Sequence, residues 1–135
     1  MTYKIEEIEG VGPVYREKLS EAGIGDTDAL LRACGSAKGR KEICEKTGVS
    51  EKLLLNWSNK ADMMRISGVG PQFAELLEAS GVDTIKELRQ RNAENLAAKM
   101  TEINSEKKLS KSSPATSMIE EWIAQAKKLD PTISH

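Results

Sequence analysis

The chain has 135 residues, the usual size of one compact domain. Hydrophobic residues make up 39% of it and aromatic residues only 4%, so the core is expected to consist of aliphatic side chains between packed helices. Its 20 basic and 21 acidic residues leave a net charge of -1, which excludes a global attraction to polyanions and restricts any nucleic-acid contact to local features.

Targeting and metal-binding signals are missing from the sequence. No stretch approaches the roughly 18 apolar residues of a membrane span, and residues 1–7 lack the apolar block of a signal peptide. We therefore expect a cytoplasmic protein without membrane contact. Cys34 and Cys44 have no second pair and no nearby histidine, so we expect reduced, buried cysteines and predict no metal site and no cofactor.

A short motif occurs twice. The segment Ile8-Glu9-Gly10-Val11-Gly12-Pro13 recurs 58 positions later as Ile66-Ser67-Gly68-Val69-Gly70-Pro71. We call Gly10–Pro13 the first turn and Gly68–Pro71 the second turn. Because proline fits the first turn of a helix, each motif is expected to connect two helices. The repetition predicts pseudo-repeats over about residues 3–34 and 60–91, with helix ends at Gly23 and Gly81.

The rest of the chain also has helical periodicity. We predict connecting helices within 37–65, namely 37–47 and 50–65, and C-terminal helices within 93–129, separated by a polar linker at 107–113. Trp57 and Trp122 fall on apolar stripes and are expected in the core, and residues 131–135 are expected to form a loose tail. No segment alternates with a period of two, so the sequence predicts an all-α, compact single domain over residues 1–135.

The paired glycines point to backbone recognition. They allow a sharp turn, and the helix that follows directs its first N–H groups and the positive end of its dipole outward, where a phosphate binds well. An apolar residue between two glycines, flanked by helices, is the pattern of the helix-hairpin-helix motif, which grips the sugar-phosphate backbone without reading sequence.

The charges beside the two turns differ. Glu6, Glu7 and Glu9 crowd the first turn and repel phosphate, whereas Arg65 and Gln72 flank the second. The second turn is therefore the better candidate. The predicted nucleic-acid contacts are Gly68, Val69, Gly70, Arg65, Lys60 and Gln72, together with Gly10 and Gly12 of the first turn. Two basic clusters, Lys38/Arg40/Lys41 and Lys107/Lys108/Lys111, are either further phosphate contacts or solvated surface.

Catalysis is not expected. The single histidine, His135, ends the sequence, the turns lack the lysine of an ATP-binding loop, and the carboxylates are scattered without pairing. No catalytic residues are predicted.

Longer runs support a family resemblance. The sequence resembles the bacterial domain-of-unknown-function family numbered 4332 over nearly its whole length, in the runs 39–41, 45–57, 59–70, 76–84 and 122–129. The resemblance implies an all-helical domain with helix-hairpin-helix repeats and no established activity.

These observations favour a non-catalytic module that binds nucleic acid through the DNA backbone, independently of sequence. The alternative is a protein-protein interaction adaptor or a self-associating scaffold in which the turns are structural. The sequence leaves the oligomeric state and the partner open.

Overall fold

Helices form the whole framework of the protein. The computed structural model describes residues 2–134, so Met1 and the histidine at position 135 lie outside the described residues. Within that range the chain forms one 3-10 helix, eight α-helices and no strand, which confirms the all-α prediction. The 3-10 helix spans Ile5–Glu7, and the α-helices are α1 (Pro13–Glu21), α2 (Thr27–Cys34), α3 (Ala37–Thr47), α4 (Glu51–Met63), α5 (Pro71–Ala79), α6 (Ile85–Arg89), α7 (Ala93–Lys107) and α8 (Thr116–Lys128).

Local sequence signals set most helix starts. Asp26, Ser36, Thr84 and Asn92 each accept a hydrogen bond from a backbone N–H in the first turn of the following helix, at 2.8, 3.0, 3.1 and 3.0 Å. Such caps satisfy N–H groups that have no partner within the helix. Helices α1 and α5 instead begin at a proline and have no side-chain cap.

The chain divides into two compact units. Unit 1 comprises residues 2–62 and 132–134, and unit 2 comprises residues 63–131. Each unit contains a Gly-Val-Gly-Pro turn followed by helices, α1 to α4 in unit 1 and α5 to α8 in unit 2. Cooperative folding of the chain as a single domain stays a prediction.

Unit 1 is built around α3, which contacts both α1 and α2. Gly23 has a φ of 82° and ends α1, and the N–H of Ile24 then donates to Leu19 O at 2.9 Å. This is the hydrogen-bond pattern by which a left-handed residue closes a helix. The core of the unit consists mainly of Leu19, Ile24, Leu30, Ile43, Leu54 and Trp57.

Unit 2 is built around α8, which contacts α6 and α7, while α5 contacts α7. Arg89 of α6 donates through Nε to Ala126 O at 2.7 Å and through Nη2 to Leu129 O, so a cation lies at the C-terminal end of α8. The core of this unit includes Leu76, Leu77, Leu88, Leu96, Met100, Ile119 and Trp122.

The structure corrects two expectations about unit 1. The predicted helix before the first turn is only the 3-10 helix, because Lys4, which precedes it, has an extended backbone and Tyr3 O accepts the Thr27 N–H at 2.9 Å. The C-terminal tail is not loose over the described residues. Thr132 donates through Oγ1 to Asp62 Oδ1 at 2.8 Å, and the Ser134 N–H donates to Gly35 O at 2.8 Å.

Arg40 is a structural residue. It is 5% exposed, and its guanidinium donates to the carbonyls of Cys34, Gly35 and Ser134 at 3.0, 3.2 and 2.6 Å. It thus covers the C-terminal end of α2 and holds the tail. The interpretation of Lys38, Arg40 and Lys41 as one cluster of surface cations is therefore wrong for Arg40, which is buried. Lys38 and Lys41 are exposed, as that interpretation requires.

No helix within residues 2–134 has both the length and the apolar character needed to cross a membrane.

Candidate nucleic-acid interface

The second turn has a tightly bonded interior. Gly68 has a φ of 97°, a conformation that L side chains rarely adopt. The next residue, Val69, is fully buried, and its N–H donates to Ile66 O at 3.0 Å. Val69 was predicted to offer this N–H to a phosphate, but the group is already bonded inside the turn.

Helix α8 supports the second turn from behind. A Cβ placed on Gly68 would lie 3.0 Å from Nε1 of Trp122, so the indole packs directly against the glycine. Phe73 of α5 lies against the same ring, with 5.4 Å between ring centroids. The side-chain amide of Gln125 binds both backbone groups of Ser67, accepting from its N–H at 2.8 Å and donating to its carbonyl at 3.1 Å. These contacts fix the turn in one geometry.

The first turn of α5 has open N–H groups. Its N-cap is Gly70, which has no side chain to accept a hydrogen bond, and Pro71 has no N–H to satisfy. Ala74 is the residue whose N–H donates to Gly70 O, at 2.9 Å. The N–H groups of Gln72 and Phe73 therefore face the space before the helix, where the positive end of its dipole lies.

The side chains around this helix start are polar or basic. Ser67 and Gln72 are exposed, and Arg65 is half-buried with Nη1 donating to Asp130 O at 3.0 Å. The structure therefore brings five of the predicted contacts together in unit 2: Arg65, Gly68, Val69, Gly70 and Gln72.

The first turn repeats the same construction in unit 1. Gly10 also has a φ of 97°, and the Val11 N–H donates to Ile8 O at 3.1 Å. A Cβ on Gly10 would lie 3.2 Å from Nε1 of Trp57, whose ring centroid is 5.1 Å from that of Tyr15. Gly12 is the N-cap of α1, again without a side-chain cap.

Lys60 belongs to this first turn. It lies in unit 1 and is 6% exposed, and its Nζ donates to Glu9 O at 3.3 Å. It occupies the same place relative to Trp57 as Gln125 does relative to Trp122, three residues further along the helix. The sequence had grouped Lys60 with Arg65 as a phosphate ligand, whereas the structure gives its ammonium a backbone carbonyl as partner.

The surface of the first turn is acidic. Glu6, Glu7 and Glu9 are exposed, and the nearby Arg16 is 3.8 Å from the carboxylate of Glu6. Val14, which corresponds to Gln72 of α5, is 65% exposed. The two turns therefore share one backbone and present different surfaces.

Sequence reasoning missed the side chains that hold the turns. Trp57 and Trp122 were expected only as core residues, and Gln125 was not singled out. The signal was available in part, since a Trp followed three residues later by a long polar side chain occurs in both α4 and α8. Within residues 2–134 no three His, Cys, Asp or Glu side chains group together as metal ligands.

Comparisons with known proteins identify the family alone. The family model described as Domain of unknown function (DUF4332) matches residues 9–129, which include both turns. No curated protein and no solved structure matches the chain.

Proposed function

Since the chain belongs to the domain-of-unknown-function family DUF4332, whose description names no activity, we propose a function from the geometry of the second turn. The turn is a helix-hairpin-helix turn that binds a phosphate of a nucleic-acid backbone, independently of base sequence. The protein then acts as a non-catalytic DNA-binding module of the cytoplasm.

One observation carries the proposal. Helix α5 starts with open N–H groups at Gln72 and Phe73, whereas α2, α3, α6 and α7 are closed by side-chain caps. A phosphate oxygen supplies the missing acceptor and interacts favourably with the helix dipole. Val69 has no direct role in this proposal, because its N–H is used within the turn.

Two neighbouring side chains support the same site. Gln72 is exposed at the second position of α5, and its amide is able to donate to a phosphate oxygen. Arg65 contributes positive charge from the segment that leads into the turn, while its contact with Asp130 O limits where its guanidinium lies. The rigid support from Trp122 and Gln125 means that little ordering is required on binding.

The test is a fluorescence-anisotropy titration with short duplex and single-stranded DNA at about 50 and 200 mM salt, the range over which phosphate contacts lose much of their affinity. The main variant is Gln72→Glu, which places a carboxylate where the phosphate is proposed to bind. A carboxylate at a helix start favours folding by about 0.3 to 1 kcal/mol, so lost binding cannot be attributed to unfolding.

The matched control is Val14→Glu, the same change at the corresponding position of α1. We expect Gln72→Glu to abolish salt-sensitive binding and Val14→Glu to leave it unchanged. Arg65→Glu should weaken binding and reduce the magnitude of the salt slope by about 1. Wild-type protein that fails to bind either DNA at low salt, or a Gln72→Glu variant that binds normally, refutes the proposal.

A further inference from the structure

Cations are concentrated around the last turn of α8. Lys127 and Lys128 are exposed in this turn. Arg89 of α6 donates to two backbone carbonyls at its end, and Arg65 Nη1 donates to Asp130 O at 3.0 Å just beyond it. Two guanidiniums and two ammonium groups therefore lie at one helix end, where Asp130 contributes the nearest carboxylate in the sequence.

The arginines and the lysines have different roles at this helix end. The guanidiniums bind carbonyls, which carry the negative end of the helix dipole, equivalent to about half a charge. Neither lysine side chain bonds to any of residues 2–134. The arginines therefore offset the dipole, and the lysines leave a positive surface that an anion can reach.

Lys128 lies on the side of α8 that faces the segment entering the second turn. Gln125, three residues earlier, binds both backbone groups of Ser67. Residues three apart are neighbours on a helix surface, with about 5 to 6 Å between their Cβ atoms. Lys127 is two residues from Gln125, which places it about 200° around the helix. Lys128 therefore extends from beside Ser67, whereas Lys127 lies on the other side of α8.

The glutamates of α8 and α6 are not beside Lys128. Glu121 lies on the same side of α8, but it is seven residues earlier and so about 10 Å back along the helix axis. This is about one Debye length at 0.1 M salt, so an anion at Lys128 is largely screened from Glu121. Glu87 is two residues from Arg89 and lies on the other side of α6. The surface at Lys128 is therefore positive, even with Asp130 included.

Unit 1 has no such cation behind its turn. Lys128 is six residues after Trp122, and the residue six positions after Trp57 is Met63. Met63 is 1% exposed, so it offers an anion neither charge nor access. The second turn thus differs from the first both at the helix start and on the helix behind it.

We propose that Lys128, together with Arg65, binds the neighbouring phosphate of the strand whose first phosphate binds the start of α5. This inference rests on the proposed function of the second turn, and it specifies the ligand as a strand with successive phosphates rather than a mononucleotide or inorganic phosphate. A lysine is a compact charge on a flexible stem, so it contacts phosphate without reading the bases. Because Gln125 bonds α8 to Ser67, the lysine and the turn are held in a fixed relation before binding.

The experiment is the fluorescence-anisotropy titration of the full chain with short duplex and single-stranded DNA, at several salt concentrations from about 50 to 200 mM. The test variant is Lys128→Ala. Lys127→Ala is the matched control, because it removes the same charge from the same exposed helical turn. Lys128→Arg retains the charge, and Gln72→Glu reports separately on the start of α5.

We expect Lys128→Ala to reduce the magnitude of the salt slope by about 0.9 for duplex and about 0.7 for single-stranded DNA, the value for one lost phosphate contact. The ratio of wild-type to variant affinity should then be about 3.5 times larger at 50 mM than at 200 mM salt for duplex, and about 2.6 times larger for the single strand. Lys127→Ala and Lys128→Arg should keep the wild-type slope.

An unchanged slope in Lys128→Ala overturns the inference, and so does an equal reduction in Lys128→Ala and Lys127→Ala, because net charge alone then explains the effect. The second turn is judged by Gln72→Glu. If that variant loses binding while Lys128→Ala behaves like wild type, the turn binds phosphate and only the second contact is wrong. If Gln72→Glu binds normally, the proposed function itself fails and this inference fails with it.

Discussion

Replacing Gly68 with alanine should destabilise the protein by about 1.5 to 3.5 kcal/mol, and the structure separates two reasons. The φ of 97° costs an L residue roughly 1 to 2 kcal/mol. The new Cβ would also lie 3.0 Å from Nε1 of Trp122, so the indole must move from its packed position. Displacing a side chain from its preferred rotamer costs about 0.5 to 1.5 kcal/mol.

Two other glycines act as controls, because each lacks part of this combination. Gly23 has a φ of 82° but nothing within 4 Å of its added Cβ, so Gly23→Ala should cost only the backbone term of about 1 to 2 kcal/mol. Gly12 has neither a positive φ nor a close neighbour, but it is the N-cap of α1, where alanine is less favourable than glycine. This cost opposes the gain of up to about 1 kcal/mol through the unfolded chain, so Gly12→Ala should change stability by less than about 1 kcal/mol.

Urea denaturation followed by tryptophan fluorescence measures all three free energies of unfolding. If Gly68→Ala and Gly23→Ala lower the free energy of unfolding by the same amount, the contact with Trp122 contributes nothing to the cost at Gly68. A loss as small as that of Gly12→Ala would refute the left-handed requirement at the second turn, and with it the argument that this turn needs glycine.

Three further predictions concern the units and their buried groups. Arg40→Met should lower stability by about 3 kcal/mol or more and speed carboxypeptidase digestion of the tail, because buried carbonyls of α2 lose their donor. Burial raises the pKa of the Cys34 thiol to about 11, against an opposing effect of the Arg40 guanidinium, so a thiol reagent at neutral pH should label Cys44 first. The thiol of the unfolded chain ionises at its ordinary pKa of 9.0, before the folded one does. The free energy of unfolding should therefore be unaffected by Cys34 below pH 9.0 and should fall as the pH rises from 9.0 to about 11. Trp57→Phe and Trp122→Phe each leave one tryptophan in one unit, and a single cooperative domain requires that, within each variant, tryptophan fluorescence and far-UV circular dichroism change over the same range of urea concentration.

The sequence predicted the parts of the fold that depend on local chemistry. Pro13 and Pro71 begin helices, and Gly23 and Gly81 adopt positive φ just after helix ends, as expected. Asn92 caps α7 at the start of the predicted C-terminal helices. These features are set by steric limits and hydrogen bonds within a few residues, so they can be read from a short window.

Long-range contacts were beyond the same reasoning. Arg40 looked like a surface base because nothing near it in sequence shows that residue 134 returns to its guanidinium. The equivalence of Trp57 and Trp122 was hidden because they are 65 positions apart, whereas the turns are 58 apart. The seven extra positions lie between the turns and the tryptophans, mainly because α7 is four residues longer than α3 and the loop after it has eight residues rather than three.

The sequence located the candidate turn, but it did not identify which N–H groups are open there, for one physical reason. Two glycines around an apolar residue indicate a turn at the surface, but the left-handed Gly68 directs the next peptide inward, which buries Val69 and uses its N–H. The groups that remain open come later, at Gln72 and Phe73, because Pro71 has no N–H. The location of the site follows from the motif, and its donors follow from the backbone conformation.

The side chain that binds the backbone of each turn also differs between the two units. Lys60 places an ammonium against Glu9 O of the first turn, where the adjacent surface is acidic. Gln125 places a neutral amide against Ser67 of the second turn and satisfies both its N–H and its carbonyl.

An anion that approaches the second turn meets no carboxylate from residues 65–72 and finds the open N–H groups of α5. At the first turn the same open helix start is surrounded by glutamates, which repel phosphate and attract cations. One backbone design thus supports two surfaces of opposite preference, and this is why Gln72→Glu and its counterpart Val14→Glu should differ in their effect on phosphate binding.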